Sequence, residues 1–360
     1  MKIVTVVGAR PQFIKAAALS RKLRELHKEI LVHTGQHYDK NMSHLFFEEL
    51  DIPKPHYNLN VGSGSHAKQT GEMMIKIEEV LLKEKPDYLM VYGDTNSTLA
   101  GALAASKILI PIIHVEAGLR SFNMNMPEEQ NRILTDRISK YLLCPTEVAV
   151  NHLKNEGITK GVYNVGDVMC DAVIHYSKNL ERYSKEYFIR RLNCIWGVVP
   201  KLDKWYLATI HRVENTNTLE KIDEILAAFE KFDYPVIFPV HPRTISLVKQ
   251  LNDKYNYSNI VFVEPIGYLD MLFFTKNSIK VVTDSGGLQK EAYILNIPCI
   301  TVREQTEWVE TLQGNHNILV KPIYKNIIEG VFNTKINYGE KKDYYGTGDA
   351  AERICTIFNI

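Results

Sequence analysis

Val281-Val282-Thr283-Asp284-Ser285-Gly286-Gly287-Leu288-Gln289-Lys290-Glu291-Ala292 runs from a β-branched stretch through a polar turn into residues with helical spacing. It reads as a strand, a cap and a helix start. Ser285 is suited to cap the helix. Gly286 and Gly287, lacking Cβ atoms, let backbone N–H groups and the positive end of the helix dipole approach an anion, for which phosphate is the chemical match. Glu291 follows about a turn and a half later, placed to accept hydrogen bonds from a ribose diol beside the phosphates. The segment implies a nucleotide carrying a sugar, although the same residues also make a tight strand-to-helix connection with no ligand.

At 360 residues the chain exceeds one ordinary core and implies two domains of α/β size. It is 45% apolar and 24% charged with a formal net charge of +1, an ordinary globular composition that does not point to nucleic acid as a partner. No apolar run reaches the roughly 18–20 residues of a membrane span, and Met1-Lys2 leads into Ile3-Val4-Thr5-Val6-Val7, too short for a signal sequence. No membrane association and a cytoplasmic location are expected. Cys144, Cys170, Cys194, Cys299 and Cys355 are odd in number, scattered and without CxxC spacing, so buried thiols are expected rather than disulfides or a zinc site.

Short β-branched runs at residues 2–7, 29–34, 88–92, 111–115 and 141–144 alternate with helical patterns. The rhythm resumes at 205–210, 236–240, 260–263, 279–283 and 299–302. Both halves read as doubly wound parallel sheets, giving an α/β protein of two Rossmann-like domains facing each other. The boundary is placed after Val165-Gly166-Asp167, with a first domain over 1–168 and a second over 169–348. The segment 349–360, preceded by Gly346 and Gly348, reads as a helix that crosses back to the first domain.

Ligands of parallel sheets gather at the carboxyl ends of the strands. After the first strand, Gly8-Ala9-Arg10-Pro11-Gln12-Phe13-Ile14-Lys15 places two cations near a helix N-terminus, which is unfavourable unless an anion joins them and so suits a pyrophosphate. Later strands deliver Asp94, in Gly93-Asp94-Thr95-Asn96, and Glu116, in Glu116-Ala117-Gly118-Leu119-Arg120. Glu128 and Glu129 follow Pro127 in the first turn of another helix. The plain alternatives are that Asp94 caps the next helix and that Glu128 and Glu129 complement a helix dipole. Converging carboxyls, with pKa values raised toward neutrality by repulsion and burial, would instead suit proton transfer to and from carbon.

In the second half His211 and His241 each follow a strand, suited either to phosphate and nucleotide contacts or to structural hydrogen bonds. His33 and His37 are not read as metal ligands, because His33 belongs to a strand and the two share no helix.

Taken together, Gly8-Ala9-Arg10-Pro11, Gly35-Gln36-His37, Tyr92-Gly93-Asp94-Thr95, His114-Val115-Glu116-Ala117-Gly118-Leu119-Arg120, Pro127-Glu128-Glu129, His211-Arg212, Thr283-Asp284-Ser285-Gly286-Gly287 and Tyr345-Gly346-Thr347-Gly348-Asp349 resemble the non-hydrolysing UDP-N-acetylglucosamine 2-epimerases, in order and nearly over the full length. The resemblance implies a GT-B-type fold with an interdomain cleft, a homodimer built through the first domain, and inversion at C2 of a UDP-linked 2-acetamido sugar. No nicotinamide cofactor or essential metal is expected. In the implied mechanism UDP leaves, a base removes the C2 proton to give a 2-acetamidoglycal, and UDP adds back with protonation from the other face, supplying surface-polysaccharide precursors. Carried over by motif, Asp94, Glu116 and Glu128 are acid/base candidates, with their faces unassigned, and His211 assists the diphosphate. Arg10, His241, Ser285, Gly286 and Gly287 are implied nucleotide ligands, Glu291 the ribose clamp, and Lys15 a cation near the reacting sugar.

Ala9 and Gln12, the segment Arg303-Glu304-Gln305-Thr306-Glu307-Trp308-Val309-Glu310, and Ser121-Phe122-Asn123-Met124-Asn125-Met126 depart from the main pattern toward the branch that resembles UDP-2,3-diacetamido-2,3-dideoxyglucuronate 2-epimerases. Both sugars stay open. Gln36 and Arg212 match positions used for allosteric activation in some relatives, but Lys68 stands where the family usually carries an arginine, without its bidentate fork. The rival classes are a retaining GT-B glycosyltransferase, which has no need of Asp94, Glu116 and Glu128, a hydrolysing epimerase, and a non-catalytic sugar-nucleotide sensor.

Overall fold

The computed structural model describes residues 1–35, 50, 52, 54–332 and 342–358, with the Arg10 side chain outside them. In chain order they form β1 (Lys2–Val7), α1 (Arg10–Leu26), β2 (Lys28–His33), β3 (Tyr57–Asn58), α2 (His66–Glu84), β4 (Tyr88–Tyr92), α3 (Asn96–Lys107), β5 (Ile112–Val115), α4 (Pro127–Ile138), β6 (Tyr141–Cys144), α5 (Glu147–Asn155), β7 (Val162–Asn164) and α6 (Val168–Leu180). There follow α7 (Lys185–Arg190), β8 (Tyr206–Thr209), α8 (Val213–Thr216), α9 (Leu219–Phe229), β9 (Val236–Pro239), α10 (Ile245–Tyr255), β10 (Ile260–Val263), α11 (Tyr268–Lys276), β11 (Val281–Thr283), α12 (Gly286–Ile294), β12 (Cys299–Val302), a 3₁₀ segment (Val309–Asn315), β13 (Asn317–Val320), α13 (Tyr324–Phe332) and α14 (Ala350–Ile357). Two compact units result, Met1–His175 with Asp343–Ile360, and Tyr176–Lys342.

Each unit holds a parallel sheet. The first runs β3-β2-β1-β4-β5-β6-β7 and the second β10-β9-β8-β11-β12-β13. These are the doubly wound sheets of an α/β, GT-B-type fold. Val4, Val6, Val32 and Val91 of the first sheet pack on Met73 and Ile77 of α2 and on the alanines of α3. Helix α3 can lie close because its inner face is small: a Cβ at Gly101 would stand 3.2 Å from Val91 Cγ1. In the second unit Phe229, Phe238, Phe262, Val282 and Ile300 form the corresponding core. Strands buried on both faces are why these runs read as continuous β-branched stretches.

β3, β7 and β13 lie outside the expected runs. All three are outer strands; β3 and β7, of two and three residues, are too short to show periodicity, and β13 opens on Asn317, a residue type depleted in strands. At the C-terminus, Ala350 and Ala351 donate backbone N–H groups to the Asp171 carboxylate on α6 at 3.1 and 2.8 Å, and α14 packs on α1. Burial raises the Asp171 carboxyl above its ordinary range, the two amides lower it, and Asp167 and Asp349 add to the rise. Of the free cysteines, Cys144, Cys170, Cys299 and Cys355 are buried, whereas Cys194 is half-buried. Among the described residues no helix is long and apolar enough to cross a membrane.

His33 closes β2, buried with its ring edge against Phe13 at 5.1 Å. Burial pushes its imidazole down to about 4. As pH falls from the ordinary histidine value toward 4, the unfolded chain takes up a proton that the folded chain resists, so stability is lost over that window. The loss amounts to about 3 kcal/mol at most. Unfolding free energies measured from pH 7 to pH 4 should fall less steeply for His33→Gln than for the parent.

Candidate active site

Strand order reverses between β1 and β4 in one unit and between β8 and β11 in the other. Helices following the paired strands there leave to opposite faces, so the strand ends lie uncovered. In the first unit Gln12 ties the two turns together. Its Oε1 accepts from Gly8 N (2.7 Å) and Ala9 N (3.1 Å), and its Nε2 donates to Tyr92 O at 2.7 Å. Lys15, buried on α1, forms an ion pair with the buried Glu116 carboxylate and lies beside Gly93. Glu116 adopts φ +71°, a left-handed conformation that costs an L side chain roughly 1–2 kcal/mol. The turn is held by Glu116 N and Ala117 N, which both donate to Leu143 O at 3.0 and 3.1 Å.

The cap of α3 is Thr95, not Asp94. The Asp94 carboxylate instead meets Arg132 at 2.7 Å, and its carbonyl accepts from Asn131 Nδ2 at 2.9 Å. Glu129 does more than complement a dipole. It is buried, pairs with Arg132 at 2.7 Å, and accepts from Ser121 N, Ser121 Oγ and Phe122 N, each at 2.9 Å. Burial alone would raise the Glu129 carboxyl, but these donors together hold it below its ordinary value. Glu128, one residue earlier, is exposed in the first turn of α4. Beneath the site His114 bridges Gly93 O and Asp136 Oδ1, both at 2.7 Å, and Arg120 reaches Asp136 at 2.8 Å. Burial would raise Asp136, yet His114 and Arg120 outweigh it and keep the carboxyl low.

In the second unit one fully buried carboxylate, Asp284, organises the reversal. It accepts from His211 N at 3.0 Å, Arg212 N at 2.9 Å and Asn215 Nδ2 at 3.0 Å, and stands 3.2 Å from His211 Nδ1. The His211 and His241 rings stack at 5.6 Å. His241 Nδ1 accepts from Arg243 N at 3.1 Å. Desolvation lowers the His211 imidazole, with Asp284 opposing and Arg212 and Arg243 reinforcing the shift, so the ring is neutral near pH 7. Ser285 caps α12, accepting from Leu288 N at 3.4 Å. The two glycines differ: a Cβ at Gly286 would meet Glu307 Oε1 at 2.6 Å, whereas at Gly287 the nearest atom is Ser285 Oγ at 3.9 Å. Glu307 also pairs with Arg303 at 3.1 Å and stands 3.9 Å from Arg212, and Glu291 is buried on α12.

Arg10 opens α1, but its side chain, like Gln36 and His37, lies outside the described residues. Lys68 is exposed, 3.9 Å from Glu72. Asp284, Gln12, Arg132 and Asp136 are functional-region residues to which strand-end reasoning gives no role, and Glu129 is one that it reads only as complementing a helix dipole. Only Asp284 carried a signal, as an acid directly after a β-branched strand. Partners of the others lie far along the chain: His114 is 22 positions from Asp136, Asp94 is 38 from Arg132 and Tyr92 is 80 from Gln12.

The sequence model of the UDP-N-acetylglucosamine 2-epimerase family matches residues 21–359, and the chain belongs to that family of isomerases. It is 52% identical to a UDP-N-acetylglucosamine 2-epimerase homolog of Methanococcus maripaludis, with 99% of each chain covered. It is 47% identical to the UDP-2,3-diacetamido-2,3-dideoxy-D-glucuronate 2-epimerase of Pseudomonas aeruginosa, covering 99% of this chain and 98% of that one. The crystal structure of Methanocaldococcus jannaschii UDP-GlcNAc 2-epimerase in complex with UDP-GlcNAc and UDP superposes with a TM-score of 0.89 at 44% identity, covering 99% of both chains.

The Lys15–Glu116 pair makes a sharp stability prediction. Lys15→Met should cost about 3 kcal/mol or more by stranding a buried carboxylate. Adding Glu116→Gln should return part of that loss, and denaturant unfolding of both variants measures the coupling.

Proposed function

We propose that this chain inverts C2 of a UDP-linked 2-acetamido sugar, either UDP-N-acetylglucosamine or UDP-2,3-diacetamido-2,3-dideoxyglucuronate, to its manno epimer. The observation that carries the reading is that neighbouring strands β4 and β5 deliver Asp94 and Glu116, each paired with a buried cation. A glycosyltransferase has no use for two such acids. The names of the relatives at 52% and 47% identity support the two sugars equally.

The C1–O bond to the diphosphate breaks with its electron pair leaving on UDP, and the electron-poor C1 acidifies C2–H. A carboxylate removes that proton to form the C1=C2 bond of the glycal. A second carboxyl then delivers a proton to the opposite face of C2 as a UDP oxygen returns to C1. Asp94, Glu116 and the exposed Glu128 are the candidates for these transfers, with Lys15 beside them. Ser285, Gly286, Gly287, His241 and Arg10 hold the nucleotide, Glu291 the ribose, and electrostatic retention of UDP beside the glycal is essential. His211 assists departure and return: its imidazole, lowered by desolvation, is driven toward its protonated form by a diphosphate. We further propose a cytoplasmic homodimer supplying polysaccharide precursors, with the exposed Leu134 and Ile138, one turn apart on α4, at its interface. Sedimentation tests the association.

In D₂O, without nicotinamide, epimerised product should carry deuterium at C2. Product retaining its protium would exclude elimination and re-addition, and no product from either sugar would favour a transferase or sensor. Asp94→Asn and Glu116→Gln should each lower turnover about 10²-fold or more while UDP affinity stays within a few-fold. Gly287→Val should fold, because no protein atom opposes its side chain, yet weaken UDP binding at least about tenfold. Calorimetry in buffers of different ionisation enthalpy should show proton uptake on UDP binding near pH 7, lost in His211→Asn.

A further inference from the structure

Arg132 is 4% exposed, and its guanidinium divides between two carboxylates: Nη2 donates to Asp94 Oδ2 and Nη1 to Glu129 Oε2, both at 2.7 Å. Glu129 in turn holds the amides of Ser121 and Phe122. Three pieces of chain are therefore linked through the Arg132–Glu129 pair: the β4–α3 turn bearing Asp94, helix α4, and the segment 121–126 that leads into that helix. The segment is not relaxed by itself. Phe122 has φ +57° with its ring 74% exposed, edge-on to His152 at 5.2 Å. Asn131 meanwhile fixes the Asp94 carbonyl, so successive residues of α4 grip the main chain and the carboxylate of the same residue. Only a planar guanidinium serves two carboxylates at once in this way; an ammonium is a point charge.

We propose that Arg132 is a positioning residue for the epimerisation, fixing the orientation of the Asp94 carboxylate and making it depend on the set of the 121–126 segment. Ordering of that segment and aiming of the acid are then one event. The inference rests on Asp94 being a proton-transfer group.

The test is a double-mutant cycle on the full chain with UDP-N-acetylglucosamine and the diacetamido-uronate as substrates, read as kcat, C2–H exchange in D₂O and UDP affinity. Arg132→Ala should lower kcat and exchange about 10²-fold, the scale of a misplaced catalytic group, with UDP affinity within about twofold. Millimolar guanidinium should restore part of the loss, and Arg132→Lys should recover less than about a tenth of the parent rate. On the Asp94→Asn background the same substitution should cost no more than about twofold, because its effect runs through the missing carboxylate. Glu129→Gln should both slow turnover and speed chymotryptic cleavage after Phe122. If Arg132→Ala does not fold, Arg132→Lys and Glu129→Gln complete the cycle. Equal losses on both backgrounds, or full activity in Arg132→Lys, would overturn the positioning role. Undiminished turnover in Asp94→Asn alone would instead overturn the reading of Asp94 on which it rests.

Discussion

Everything in this molecule follows from the two places where strand order turns back on itself. A chain that builds a parallel sheet outward from its first strand and then returns to build the other side sends the two central helices to opposite faces. Nothing covers the strand ends between them, and the peptide groups there need other partners. The first unit answers with the Gln12 side chain, which bridges the turns after β1 and β4. The second answers with Asp284, whose carboxylate gathers amides from the turn after β8 while its own amide donates to Thr209 O at 3.2 Å. A neutral amide closes one reversal and a buried charge the other. The charge sits where histidines and a helix N-terminus collect, the amide where acids and a lysine collect.

Charge is handled locally. Glu116 has Lys15, Asp94 and Glu129 share Arg132, and Asp136 has His114 with Arg120. For Glu129 and Asp136 the partners outweigh the cost of burial and hold both carboxyls below their ordinary values. Buried pairs of this kind contribute less to net stability than to geometry, since an apolar replacement often does as well energetically. Their presence in this number under one sheet edge is a statement about orientation.

Much of the architecture is legible from residues alone because both sheets are buried on two faces. Runs such as 88–92, 141–144, 260–263 and 299–302 coincide with β4, β6, β10 and β12 to the residue. The outer strands β3 and β7 escape notice since two or three residues give no period to detect, and β13, as long as β10, is masked instead by the Asn317 that opens it. Ser285 as a cap is legible for a local reason: a hydroxyl three residues before the amide it accepts is visible in the string. Asp94 as a cap fails for an equally local one, because Thr95, one position later, carries the better-placed hydroxyl. Links such as Arg132 to Asp94 or Glu116 to Lys15 span distances in sequence that only the topology closes, and Glu116's left-handed backbone has no signature in a residue that ordinarily avoids it.

The paired glycines at the start of α12 carry a separate lesson. A Cβ at Gly286 would press on Glu307 and Trp308, while one at Gly287 would stand in ordinary contact with Ser285 Oγ. A mutational scan scored by protein abundance would register intolerance at the first and little beyond helix propensity at the second. A scan scored by growth on the enzyme's product would register both. Under the proposed phosphate role, two adjacent identical letters answer to different constraints, one of packing and one of ligand approach, and the difference between the two scans would tell them apart.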